Sequence, residues 1–134
     1  MISPLLGLDI GLKRTGVALS ESGIISQPLT VIEAKPPHMT NVVQEIVRFV
    51  REYDIVTLVV GVPYTEDDSD TTQALKVEHI ITQLEEALAV LPHPPVIERV
   101  NEAFSSIDAH ELYPNTPIDS AAAALILQSY LDAL

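Results

Sequence analysis

Apolar positions fall into two rhythms along this chain. Short apolar runs punctuated by turn residues come first, and helically spaced stripes alternate with further runs after them. Leu5–Ile10, Gly16–Ser20 and Gln27–Glu33 read as three strands, separated by Gly11 and by the Glu21-Ser22-Gly23 stretch. Pro36-Pro37 breaks the chain, and Thr40 or Asn41 is placed to cap a helix carrying Val43, Ile46, Val47 and Val50 at helical spacing. Ile55–Val60 is almost wholly apolar, as in a parallel strand buried on both faces, and Gly61-Val62-Pro63 ends it. A polar, acidic loop runs from Tyr64 to Thr72. Ala74, Val77, Ile81, Leu84 and Leu88 mark a second helix, which Pro92, Pro94 and Pro95 end. Val96–Val100 is a fifth strand. A third helix is predicted from Ser105 or Ser106 through Leu112, and a last one, capped by Thr116, runs to about Leu131. The order β-β-β-α-β-α-β-α-α predicts an α/β fold: a mixed five-stranded sheet, three antiparallel strands then βα units, with helices on both faces. The 134 residues suit a single domain, 1–134, with no internal repeat or linker.

Composition narrows the chemistry. The chain is 47% hydrophobic, enough for a core, and contains no Cys, which excludes disulfides, thiolate metal sites and a Cys nucleophile. No leader pattern and no membrane-length apolar run is present, so a cytoplasmic protein without a membrane partner is expected. The 19 Asp and Glu against 7 Lys and Arg give a net charge of −12. Phosphate contacts supply most non-specific affinity for nucleic acid, so any such function needs a local basic patch or bound cations. The alternative is that the acidity serves solubility alone.

Three carboxylates lie at the ends of elements: Asp9 on the first strand, Glu102 just past the last strand, and Asp119 in the first turn of the last helix. Asp9 sits among Leu5, Leu6, Leu8 and Ile10, where a charge is costly unless a metal, a proton or a hydrogen bond compensates it. With the first strand central, the C-terminal ends of parallel strands open on one edge, where Asp9 and Glu102 could meet and a packed helix could present Asp119. Two carboxylates about 4 Å apart repel by roughly 4 kcal/mol at an effective dielectric of 20, and a divalent cation removes that penalty. Oxygen-only ligands select Mg²⁺ or Mn²⁺ over Zn²⁺. A pair of such ions about 4 Å apart would clamp the attacking water and the leaving oxygen of a phosphodiester.

Plainer roles exist for each residue. Thr116-Pro117-Ile118-Asp119 fits a helix start with Pro at the first helical position, in which Asp119 only complements the helix terminus. Glu98 rivals Glu102, because strand alternation places Glu98, Val100 and Glu102 on one face. Asp67, Asp68 and Asp70 read as a solvated acidic loop. Lys13 and Arg14 are the chain's one adjacent basic pair and could hold a phosphate beside Asp9, or form a surface ion pair of little consequence. Ser105-Ser106 is a helix cap that could also receive a phosphate. The four His residues show no ligand spacing.

Four segments, in order and across nearly the whole length, resemble the YqgF (RuvX-like) family of Holliday-junction resolvase-like proteins, now usually described as pre-16S rRNA nucleases. They are Gly7-Leu8-Asp9-Ile10-Gly11-Leu12-Lys13-Arg14-Thr15-Gly16-Val17-Ala18; Leu58-Val59-Val60-Gly61-Val62-Pro63 with Gln73-Ala74 and Lys76-Val77; Asn101-Glu102-Ala103-Phe104-Ser105-Ser106; and the helix from Ile118 to Leu131. The resemblance implies an RNase H-like fold and a metal-dependent phosphodiesterase. Asp9, Glu102 and Asp119 would be its catalytic and metal-binding acids, with Mg²⁺ or Mn²⁺ as cofactor. Lys13, Arg14, Ser105 and Ser106 would contact nucleic acid. It implies RNA, a ribosomal RNA precursor, as substrate, with structured DNA as the alternative. A catalytically impaired, protein-binding RNase H-like module is the reading from another class. Asn101 and Ala103 stand where the family has Asp and Arg, which removes a carboxylate and a guanidinium from the third segment.

Overall fold

The computed structural model describes residues 2–35, 40–63, 72–101 and 111–134. In chain order the elements are β1 (Leu5–Ile10), β2 (Arg14–Ser20), β3 (Gln27–Glu33), α1 (Thr40–Glu52), β4 (Thr57–Val62), α2 (Thr72–Leu88), β5 (Val96–Asn101) and α3 (Ile118–Asp132). The sheet order is β3-β2-β1-β4-β5. β1, β2 and β3 form an antiparallel meander, while β4 and β5 run parallel to β1. This is the mixed sheet expected from the element order, with β1 at its centre.

Strand alternation divides β1 between two cores. Leu6, Leu8 and Ile10 pack with Val42 and Ile46 of α1 and with Ile81 and Leu84 of α2. Leu5 joins Ala18, Val59, Ala123, Ile126 and Leu127 on the other face, beneath α3. Leu5, Leu6 and Leu8 are completely buried, each worth about 2 kcal/mol of transfer free energy. Helices therefore cover both faces, as expected.

α3 lies close to the sheet because both surfaces are pared down. Its contact stripe is Ala-rich, and a Cβ at Gly7 of β1 would lie 2.7 Å from the Cβ of Leu127. Polar contacts hold its C-terminal half. The Ser26 hydroxyl donates to the Ala124 carbonyl at 2.6 Å, the Ser26 amide donates to the Gln128 side chain at 2.9 Å, and Gln128 donates to the Ile24 carbonyl at 2.9 Å.

Several boundaries differ from the sequence reading, among them α2, which starts already at Thr72, and β5, which runs on to Asn101. β4 starts at Thr57 and extends through Val62, because the Ile55 amide bonds back to the Val50 carbonyl and closes α1, whereas Gly61 and Val62 pair with Val100 and Asn101. β2 starts at Arg14, directly after the Leu12-Lys13 turn. Pro117 rather than Thr116 occupies the cap position of α3, in extended conformation and without a side-chain capping bond. The expected third helix, Ser105–Leu112, falls outside the described residues except for Glu111 and Leu112, which are helical.

Candidate active site

The candidate site forms at the edge of the sheet where β1, β4 and β5 end and β2 begins. The Gly11 amide donates to the Arg14 carbonyl at 2.9 Å, folding the chain back after two residues. A side chain at Gly11 would come within 2.7 Å of that same carbonyl oxygen, so the turn admits only glycine in this geometry. Asp9 is therefore held one residue before the end of β1, directly opposite Gly16 of β2. Opposed residues in an antiparallel pair share a face, so Asp9 points to the α3 side of the sheet, away from the Leu6-Leu8-Ile10 core. It is half-buried there.

Gly16 brings the backbone of the second acidic residue to the same place. The main chain of Asp119 sits directly on Gly16, where any Cβ would collide with the Asp119 carbonyl group. The first turn of α3 thus rests on the strand position facing Asp9. Strand alternation also puts Arg14 on this face, and its Nε donates to Oδ2 of Asp119 at 3.1 Å. The guanidinium is 56% exposed and the carboxylate 26%, so the pair is weak and open to competition.

Glu98 does not join these acids in a group of three among the described residues. It pairs with Val59 halfway along the edge strand β5, and its charge, after desolvation, helps to raise the Tyr130 phenol above its usual pKa. Tyr130 is 11 residues beyond Asp119 on α3, about 16 Å along the helix axis. Asn101, the residue before Glu102, ends β5 opposite Val62 at the same edge as Asp9 and is exposed. Glu102, Ser105 and Ser106 lie outside the described residues, as do Asp67, Asp68 and Asp70. Among the described residues no cluster of three metal-ligating side chains forms.

The chemistry of the donors fits a hard cation. Both carboxylates supply oxygen, and among the described residues no cluster with His forms around them, while the chain has no Cys at all. The Arg14 contact shows that the site already favours positive charge against Asp119.

Two contributors were not read from the sequence as site residues. The Gln73 side chain donates to the Ile10 carbonyl at 3.0 Å, fixing the start of α2 against the end of β1. In the sequence Gly16 only opens a strand, although a glycine inside a strand is itself a signal of close backbone approach. Lys13 is exposed in the turn, its carbonyl accepting from the Ala34 amide at 2.8 Å.

Comparison with known proteins places this arrangement. The sequence model described as "RuvX: Holliday junction resolvase" matches residues 3–133. The chain belongs to the RuvX family. A RuvX-family relative from Syntrophus aciditrophicus (strain SB), named "Putative pre-16S rRNA nuclease", is 39% identical, covering 97% of this chain and 89% of its own. One of the same name from Chloroflexus aggregans (strain MD-66 / DSM 9485) is 36% identical, covering 96% and 93%. Among solved structures, T. thermophilus RuvC in complex with a Holliday junction substrate aligns with a TM-score of 0.67 at 13% identity, covering 96% of this chain and 93% of that one. The Fowlpox virus resolvase, in complex with Holliday junction DNA, aligns at 0.60 and 14%, covering 97% of each chain. At such identities the likeness establishes the fold: this RuvX-family chain has the RNase H-like architecture of the RuvC-type resolvases. No helix among the described residues is long and apolar enough to cross a membrane.

Proposed function

We propose that this RuvX-family chain is a metal-dependent nuclease that trims the precursor of 16S ribosomal RNA in the cytoplasm. The observation that supports the reading is that Gly16 is both the strand partner of Asp9 and the seat of the Asp119 backbone, two acids 110 positions apart in sequence. The names of the relatives support the choice of RNA.

Asp9 and Asp119, with Glu102 from the segment following Asn101, would hold Mg²⁺ or Mn²⁺. When bound, such ions supply a nucleophile at neutral pH and stabilise the developing charge on the phosphoryl and leaving oxygens. Asp9 is anchored by the sheet on a central strand, so its oxygens stay in register with the substrate. With a cation held there, Asp119 would no longer need Arg14 as its counter-charge, and the Arg14 guanidinium would be free to hold a non-bridging phosphate oxygen. Lys13, exposed at the turn, contacts the flanking backbone. Ser105 and Ser106 are proposed as further phosphate contacts.

The deciding experiment is cleavage of a ribosomal RNA precursor with Mn²⁺. Wild type is expected to cut, and Asp9→Asn and Asp119→Asn each to lose at least about a hundredfold in rate. Cleavage that survives both substitutions would remove the proposed site. The family description favours a second reading, cleavage of branched DNA. A four-way junction in the same assay separates the two substrates. A protein that cuts neither and whose melting temperature ignores Mn²⁺ would be a binding module.

A further inference from the structure

A cleft of about 490 Å³ lies on the opposite side of β1's end, between the Gly11-Leu12 turn and α2. Apart from Gly11 and Gln73 at its inner end, its lining has none of the roles above. Its α2 wall is one helical stripe containing Leu75, Lys76, His79, Ile80 and Gln83, and Leu12 closes it from the turn. Leu12 and Leu75 are more than half exposed, an apolar pair facing solvent beside a charged residue.

Two observations say what the cleft receives. The first is charge. Of the seven Lys and Arg, Arg14, Arg48 and Arg99 are held in ion pairs with Asp119, with Glu45 and Glu52, and with Glu78. Lys13, Lys35, Arg51 and Lys76 have no ion-pair partner among the described residues. Three of these four gather at one edge: Lys13 in the turn, Lys35 beside Ala34, which bonds to the Lys13 carbonyl, and Lys76 in the cleft wall. In a chain of net charge −12 this edge is where a phosphate backbone can approach. The second is an orphan acceptor. Oε1 of Gln83 is buried and lacks a hydrogen-bond donor among the described residues. A buried acceptor left unmet is costly, and a ligand carrying an N–H group would satisfy it.

We propose that this cleft holds one unpaired nucleotide of the substrate strand, next to the phosphate that is cut. The base lies against Leu12, Leu75 and Ile80, a base N–H donates to Gln83 Oε1 once that side chain turns out of its buried position into the cleft, and Lys76 with His79 binds the phosphate. Every nucleobase carries an N–H donor on its pairing edge, and in a duplex that edge is already engaged, so the cleft selects single-stranded nucleotides without selecting a base. Its volume is that of a small-ligand pocket. Ile10, at its rim, follows Asp9 directly, so a strand bound here has only to round the end of β1 to reach Asp9 on the other face of the sheet. The inference rests on the nuclease reading for its substrate.

The test is fluorescence anisotropy in EDTA, which prevents cleavage, using a short labelled oligoribonucleotide alone and annealed to its complement. Wild type is expected to bind the single strand about tenfold or more tightly than the duplex. Lys76→Gln should weaken single-strand binding and lower the slope of log affinity against log salt by about 0.7. Leu75→Ala and Gln83→Leu should each erode the single-strand preference. Leu75 and Lys76 are exposed, so their substitutions leave the fold intact. Equal binding of the two RNAs by wild type, or a preference and salt slope unmoved in all three variants, would overturn the proposal. Cleavage by wild type and Asp9→Asn, measured separately, decides the nuclease reading whichever way the binding falls.

Discussion

Asp119 answers to two partners, and the balance between them is open to measurement. Its ion pair with Arg14 is exposed and worth at most about 1 kcal/mol. Arg14→Gln is therefore expected to tighten Mn²⁺ binding by up to about fivefold while raising KM for RNA, because the same guanidinium competes with the cation and serves the substrate. Calorimetric titration with Mn²⁺ checks the first arm, and looser Mn²⁺ binding in the variant would contradict it. Tyr130 offers a pH-dependent probe at the far end of the helix. Burial, then the nearby Glu98 charge, raises its pKa in the folded state above the usual value of about 10. The folded protein thus holds this proton more tightly than the unfolded chain, and the contribution to stability is full below about pH 10 and lost as pH rises through the folded pKa. Tyr130→Phe should flatten this alkaline loss in urea melts above about pH 10 and leave neutral behaviour unchanged.

The position of α3 decides the site at the level of elements. Its C-terminal half is held by Ser26 and Gln128, its middle by contact with Gly7, and its first turn by the bare backbone of Gly16. Gly16→Ala is expected to destabilise the fold by about 2 kcal/mol, since main chain rather than a movable side-chain tip blocks the new methyl. It should also cost more activity than that loss explains, because it lifts Asp119 away from Asp9. Gln128→Ala removes bonds to Ser26 and Ile24 far from the acids, and is expected to cost about 1–2 kcal/mol with kcat retained for the folded fraction. Thermal melts alongside single-turnover rates separate these two outcomes. A Gly16→Ala protein of wild-type activity would show that α3's seat is unimportant. The boundary shifts belong to this scale too. Val62 and Ile55 look alike in a hydropathy pattern, but only the first has a strand to pair with, and Pro117 is as acceptable at a helix cap as one residue later.

For the whole molecule, one edge gathers the ends of β1, β4 and β5, the first turn of α3, the start of α2 and three of the four cations that have no ion-pair partner among the described residues. Mutual repulsion of the acids should make the metal-free protein less stable than the loaded one. At 100 times its dissociation constant, Mn²⁺ is expected to add about 2.7 kcal/mol to unfolding, read as a raised melting temperature. Asp9→Asn should abolish most of that gain. A gain equal in wild type and Asp9→Asn would mean that the cation binds elsewhere.

Periodicity alone determined the order of the elements among the described residues, the mixed sheet and the helices on both faces, because which faces are buried is written in the spacing of apolar residues. The RuvX-like motifs likewise marked Asp9 and Asp119 before any fold was in view. Tertiary structure alone decided that α3 seats its first turn on Gly16, that Arg14 reaches Asp119, that Glu98 is turned toward Tyr130, and that Lys76 and Gln83 share a cleft with Leu12. Those facts depend on pairing register and on how closely two backbones approach, and no local pattern of residues encodes the distance between chain segments a hundred positions apart.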